Sequence, residues 1–290
     1  CPDPRVRHGV VGLTRRLLDL GYLNAAVEVA ETALRSWEGE PATGTPQLAA
    51  ELGVACRLRG DRARAVRLHR SHGPAASLAR SLREAGEVEA AFEALGGHAP
   101  STEDISVAAE FAATTRTAAV LDGRPLPAEV GVLQEEVVAR LRRQCGDGHP
   151  ATLAAWADLA LTRRLAGEAR QALELDRTLL GRATALLGEG HRITLACAIN
   201  LASDLHETGE HEAAANLDRR TARIARRAQG ERHAATLVAR WNAALGGGPG
   251  PVAADAGSAL SRELGRAHPL ARLAAAGSRC WYEPDPGALP

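Results

Sequence analysis

Three consecutive blocks of the sequence superimpose without a gap at a spacing of 42 residues. They open Gly146-Asp147-Gly148-His149-Pro150-Ala151-Thr152-Leu153, Gly188-Glu189-Gly190-His191-Arg192-Ile193-Thr194-Leu195 and Gly230-Glu231-Arg232-His233-Ala234-Ala235-Thr236-Leu237. The register holds further in: Asp158, Asn200 and Asn242 fall 42 apart, as do Leu159, Leu201 and Ala243, and Ala160, Ala202 and Ala244. A fixed period of this size marks a stack of supersecondary units, none of which can bury its apolar face alone.

Each unit reads as two helices. In the first block, apolar residues at 153, 156, 159, 160 and 161 recur at helical spacing. Pro150 suits the first helical turn, where its missing N–H would be unpaired anyway. Gly167 turns the chain, and a second helix runs from Glu168 to about Leu187, completing an αα-hairpin. The next block repeats it, with helices over 193–208 and 210–229 about Gly209. Before residue 100 the same grammar appears in three shorter pairs, with turn glycines at 21, 60 and 86. Residues 103–120 and 127–145 form a fourth pair around Asp122–Pro125. The glycine-rich stretch Gly246–Pro251 interrupts the third clean block where its turn belongs. Helices over 252–264 and 268–278 finish the stack, and 283–290 reads as a loose tail. The expectation is an all-α solenoid of about six helix pairs in one continuous array. Its segments are 1–99 (degenerate repeats), 100–245 (long repeats) and 246–290 (linker, capping helices and tail).

Composition agrees. The chain is 45% hydrophobic but only 3% aromatic, and abundant Ala, Leu and Arg favour helix over sheet. Lys+Arg and Asp+Glu balance at 35 each, which argues against a general nucleic-acid binder, for which a basic face is expected. No charged-then-apolar leader and no apolar run near the ~18 residues of a membrane span is present. The five cysteines (1, 56, 145, 197 and 280) are scattered without a C-x-x-C pair. That suits reduced thiols in a cytoplasmic protein better than a disulfide framework or a zinc site. The absence of methionine reads as a processed product or a piece of something longer.

The turn glycines, the G-x-x-H-x-x-T-L openings and small residues at helix contacts (Gly53, Ala79, Ala160, Ala202) resemble the tetratricopeptide repeat. So do the second-helix alanines 26, 65, 91, 172 and 214. The 42-residue period is similar to the long form found in kinesin light chain. The G-x-x-H-P openings and the acidic, proline-bearing tail also resemble actinobacterial repeat proteins of two kinds. One accompanies FxSxx-COOH peptide-modification systems; the other is the sensor array of NB-ARC-type signalling ATPases. The resemblance implies a right-handed superhelix whose concave groove is lined by the first helix of each pair.

Residues that could carry chemistry mostly have plain structural readings. His206-Glu207-Thr208-Gly209-Glu210-His211 departs from the zinc-protease motif, since its histidines are five apart across a turn glycine. The periodic His149, His191 and His233 lie about 10 Å apart in a stack, too far to share an ion, and read as helix-start hydrogen-bonding groups. Asp158, Asn200 and Asn242 read as bonds between helices. Gly246–Gly250 has no lysine and follows no strand, so it is no phosphate loop, and no G-x-S-x-G is present. Arg219-Arg220 and Arg226-Arg227 read as a solvated face. No catalytic residue, metal site or cofactor is expected.

The groove is where the sequence points to binding. Its predicted lining has Ala157, Ile199 and Trp241 in one row, Leu161, Ser203 and Leu245 in the next, and Arg164 with His206 in a third. Tryptophan and arginine are common anchors in recognition, so these side chains are the candidate site for a protein or peptide partner. Two states of that surface stay open: a free groove, or one covered by the terminal helices 252–279 or by a domain outside this chain. The expected function is a non-catalytic scaffold holding a peptide or protein segment. The alternative is a regulatory sensor array restraining a nucleotide-switch domain that lies outside this chain.

Overall fold

A computed structural model describes residues 3–19, 22–37, 44–97, 104–246 and 250–283. Every regular element among them is a helix, fifteen in all. The chain divides into two compact units, 1–98 and 99–290. The expected residues Cys1 and Gly21 and the tail 284–290 lie outside the described residues.

The first unit holds three hairpins: α1 (Pro4–Asp19) with α2 (Leu23–Ser36), α3 (Thr45–Leu58) with α4 (Arg62–His72), and α5 (Ala75–Ala85) with α6 (Val88–Ala94). Its core gathers Leu18, Ala26, Val27, Ala30, Trp37, Leu48 and Leu52. Buried His69 bridges two hairpins, with Nδ1 2.8 Å from Ser81 Oγ and Nε2 3.1 Å from Ala50 O. A β-carbon on Gly53 would lie 2.5 Å from that ring, which is why no larger residue fits there.

The second unit continues with α7 (Ile105–Leu121), α8 (Ala128–Cys145), α9 (Pro150–Leu165), α10 (Ala169–Leu187), α11 (Arg192–Glu207), α12 (His211–Gln229), α13 (Ala234–Leu245), α14 (Pro251–Leu264) and α15 (Pro269–Ala275). Consecutive helices pack as antiparallel neighbours, and first helices α7, α9, α11 and α13 also touch in sequence. The count differs from expectation. The helix expected over 252–264 is α14, and it makes a hairpin with α13 in which Trp241 packs against Gly257. Seven pairs and a single last helix result. The described part of 250–283 shares one core with α11 and α13, through Leu260, Leu270, Leu273 and Trp281.

Local chemistry sets the boundaries. At the α11–α12 turn, Glu210 N–H reaches Leu205 C=O and Gly209 N–H reaches His206 C=O, a Schellman ending. Gly209 has φ +90°, a conformation natural to glycine. At each repeat start a histidine Nδ1 accepts the N–H two residues on: His149 from Ala151, His191 from Ile193, His233 from Ala235. His268 does the same for Leu270, extending the pattern to α15. These imidazoles are N-caps, as their periodicity suggested. The alanines 160, 172 and 202 are fully buried, and Ala214 is buried to 1%. At these positions neighbouring helices approach too closely for a larger side chain. Cys56, Cys145, Cys197 and Cys280 are all free thiols, and the first three lie in α3, at the end of α8 and in α11.

Candidate functional site

The expected groove residues come together in the second unit, but they do not form an open floor. Leu161 and Ile199 are fully buried, and Ser203, Trp241 and Arg164 are 4%, 5% and 7% exposed; only His206 faces solvent. The apolar ones are covered from within the chain, by the terminal helices α14 and α15, as one of the two expected states had it, and by the segment 278–283, which runs from the end of α15 back along α13 and α11 to α7. We refer to this segment as the strap.

The strap is held mainly by its backbone. Trp241 Nε1 donates to Ser278 C=O at 2.8 Å. Asn242 Nδ2 donates to Cys280 C=O at 2.8 Å, and its Oδ1 accepts from Cys280 N–H at 2.9 Å. One repeat back, Asn200 makes the same two bonds with Tyr282, both at 3.1 Å. A primary amide offers one donor and one acceptor side by side, which matches the N–H and C=O of a single extended residue. Both asparagines are fully buried. They were expected to bond between helices; instead they grip a backbone 38 and 82 residues away in sequence.

Charge fixes the strap at two further points. Arg279 donates to Asp218 on α12 at 2.7 Å and to Ser203 at 3.3 Å. Burial pushes the Asp218 carboxyl up, and the Arg279 guanidinium pulls it back down. At the other end, Arg116 on α7 donates to Glu283 at 3.1 Å. Arg116 is fully buried and also touches Thr162 at 3.0 Å and Asp158 at 3.6 Å. It stands 42 residues before Asp158, so Arg116, Asp158, Asn200 and Asn242 form one ladder along successive first helices. Glu283, expected in a loose tail, is therefore anchored. Between the charged ends, Cys280 and Trp281 complete the apolar cluster that contains Leu161, Ile199 and Trp241. The Cys280 thiol donates to Leu270 C=O at 3.3 Å, and burial pushes its pKa up to about 12.

Arg164 has a different role from the one expected. It is a pin between repeats, donating to Asn200 C=O at 3.0 Å and to Asp204 at 3.2 Å. The Asp204 carboxyl meets that of buried Asp176. Burial and the Asp204 charge raise Asp176 well above the usual carboxylate range. Burial pushes Asp204 up to about 6 against the pull of Arg164. Trp241 also walls an open depression of about 850 Å³ bounded by α13, α14 and α15. His206 and His211 do not share a helix face, yet they meet across the Gly209 turn, Nδ1 to Nδ1 at 3.3 Å. Among the described residues no group of three or more His, Cys, Asp or Glu is placed to hold a metal ion. No described helix is long and apolar enough to cross a membrane.

A stack of helix hairpins presenting a periodic polar ladder on its first helices is a tetratricopeptide-like repeat fold. Solved structures of that kind are what this chain is similar to. The Rap protein complexed with Competence and Sporulation Factor matches over 90% of this chain and 88% of its own, with a TM-score of 0.62 at 9% identity. A Signal Transduction ATPase with Numerous Domains from Pyrococcus horikoshii, bearing a tetratricopeptide repeat sensor, matches over 87% of this chain but 44% of its own, with a TM-score of 0.51 at 14% identity. The TPR-like repeats of a putative kinesin light chain from Podosopora anserina reach 20% identity over 79% of this chain and 99% of theirs; with a TM-score of 0.37, that likeness carries no argument. At such identities the likeness shows the fold alone. No protein-family model and no curated protein sequence matches the chain.

Proposed function

We propose that this protein is a non-catalytic scaffold that holds a peptide or protein segment, in extended form, on the face formed by α7, α9, α11 and α13. The observation that carries this reading is the paired bonding of Asn242 and Asn200 to alternate residues of an extended backbone. Such bonds read main chain and not sequence, so the face suits a polypeptide of any origin. A rigid stack also limits the ordering cost on the receptor side. The Rap structure, with its bound factor, gives the same fold a binding role in that protein. The sequence resemblance to FxSxx-COOH repeat proteins extends the reading to a scaffold within a peptide-modification system.

The test is selection of a displayed random-peptide library on the full chain with its strap loosened by Arg279→Ala/Glu283→Gln, so that it no longer competes, followed by rescreening on the same chain, shown to be folded, with Asn200→Ala/Asn242→Ala added. Enriched peptides should lose at least about tenfold in affinity once the asparagines are replaced, from four bonds worth roughly 1 kcal/mol each. Failure to enrich any peptide, or binding indifferent to the asparagines, would count against the proposal.

A second reading is the regulatory sensor array. Its support is the likeness to the sensor-bearing signalling ATPase, together with a binding face already occupied from within. There the covered face would change state only with a nucleotide-switch domain. An NTPase domain encoded in the same reading frame would favour it.

A further inference from the structure

We infer that the strap is the chain's own copy of the segment this face takes from a partner. The ligand class it defines is an extended peptide reading arginine, small residue, aromatic, any residue, acidic residue. This rests on the scaffold reading above and adds the sequence it prefers.

Three features of the occupied face go beyond backbone gripping. The carboxyl of Asp218 is fully buried on α12, and its ion-pair partner is Arg279, a strap residue. The guanidinium of Arg116 is fully buried on α7 and pairs with Glu283, four positions further along the strap. Buried charges need partners; Asp158 stays with Arg116 only at 3.6 Å, against 3.1 Å for Glu283, so the face favours a segment with a cation at the first position and an anion at the fifth. Between them, Cys280 is fully buried with its thiol on Leu270 C=O, which leaves room for a small side chain only. Trp281 fills the apolar cluster beside Ile199 and Trp241. The polarity is fixed as well, because the cation site lies beside α11 and α12 and the anion site on α7: the peptide must run against the order of the helices.

An incoming peptide meets an intramolecular rival. A tethered segment acts at an effective concentration in the millimolar range or above, so the strap masks the face against ligands of the same strength. Loosening the strap without touching the receptor side should unmask it. Arg279→Ala with Glu283→Gln does this, since both residues belong to the strap.

The experiment titrates a fluorescein-labelled synthetic peptide with the sequence of residues 277–290 into the full wild-type chain and the full double variant, followed by anisotropy. Circular dichroism and a thermal melt establish that both chains are folded. The double variant should bind at least tenfold more tightly than wild type. A peptide with its arginine and its glutamate exchanged should bind the variant at least tenfold more weakly than the native sequence. Equal affinity of the two chains overturns competition by the strap, and equal affinity of the two peptides overturns the charge code. No binding of the strap peptide to either chain overturns the inference as a whole. If library peptides still bind through Asn200 and Asn242 in that case, the scaffold reading stands and only the ligand class falls.

Discussion

Replacing Asn242 by alanine removes both bonds to Cys280, which measure 2.8 and 2.9 Å. It leaves that residue's N–H and C=O facing a buried site. Each buried group left unpaired costs about 1–3 kcal/mol, and entering water relieves part of it, so a net loss of about 2–4 kcal/mol is expected. The loss falls on docking of the strap and not on the helices, because Asn242 bonds to nothing else through its side chain as strongly as to Cys280. Local opening of a segment this short precedes global unfolding, and 2–4 kcal/mol raises its open population roughly 30- to 1,000-fold. Cys280 itself reports the opening. Docked, its thiol is fully buried with a pKa near 12; undocked, it regains ordinary reactivity. The assay is alkylation under native conditions, with each cysteine's labelling rate read by peptide mass spectrometry. Cys197, fully buried in α11, serves as the internal clock for global unfolding. Asn242→Ala should accelerate Cys280 by the stated factor and Cys197 far less. An unchanged Cys280 rate, or equal acceleration at both cysteines, would refute the reasoning.

Two further outcomes are expected. Gly209→Val should cost about 1–3 kcal/mol from backbone strain alone, since φ is +90° and no atom lies within 4 Å of the added β-carbon; Gly209→Asn should cost less, and equal melting temperatures for all three proteins would show that the turn is not strained. His233 is held down to about 4 by burial, and its Nδ1 accepts from Ala235 N–H. The unfolded chain therefore takes up a proton, as pH falls from about 6.5 to 4, that the folded chain refuses. Stability from this group is complete above pH 6.5 and lost towards pH 4, on the order of 1–3 kcal/mol. His233→Asn, which keeps an acceptor at the cap, should therefore narrow or reverse its melting-temperature deficit against wild type as pH drops from 7 to 4.5. The opposite trend from Asp204, whose raised pKa favours low pH, is common to both proteins and cancels in that difference. A deficit independent of pH would exclude His233 as the source.

The hairpins were legible because their determinants are local. Gly167 and Gly209 turn the chain where the period places them, and His149, His191 and His233 cap the helices they precede. The 42-residue register also displayed Asn200 and Asn242, but it could not say what they hold. Their partners are 82 and 38 residues away, in a stretch too short to show any periodicity of its own. For the same reason the sequence left open whether Ile199, Leu161 and Trp241 line a free or a covered face: nothing in their own repeats announces that Trp281 packs on them. Arg164 was misread because its partner Asp204 departs from the period, with threonine at the matching place one block earlier and glycine one block later. The pairing of α13 with α14 was obscured by the glycine-rich link between them. Such a link breaks the helical pattern without preventing two helices from packing.

The two asparagine clamps tie ancestry of the array to ancestry of the strap. Moving back one 42-residue repeat, from Asn242 to Asn200, advances the gripped residue by two, from Cys280 to Tyr282. Repeat arrays diversify by duplicating or losing whole hairpins, and most solenoids absorb such events because each unit touches only its neighbours. This unit has less latitude. Duplicating the hairpin that separates α11 from α13 would move Asn242 one repeat away from Asn200, and only a simultaneous insertion of two strap residues would keep both clamps on the strap. The two residues from Cys280 to Tyr282 thus match the single 42-residue step between Asn242 and Asn200.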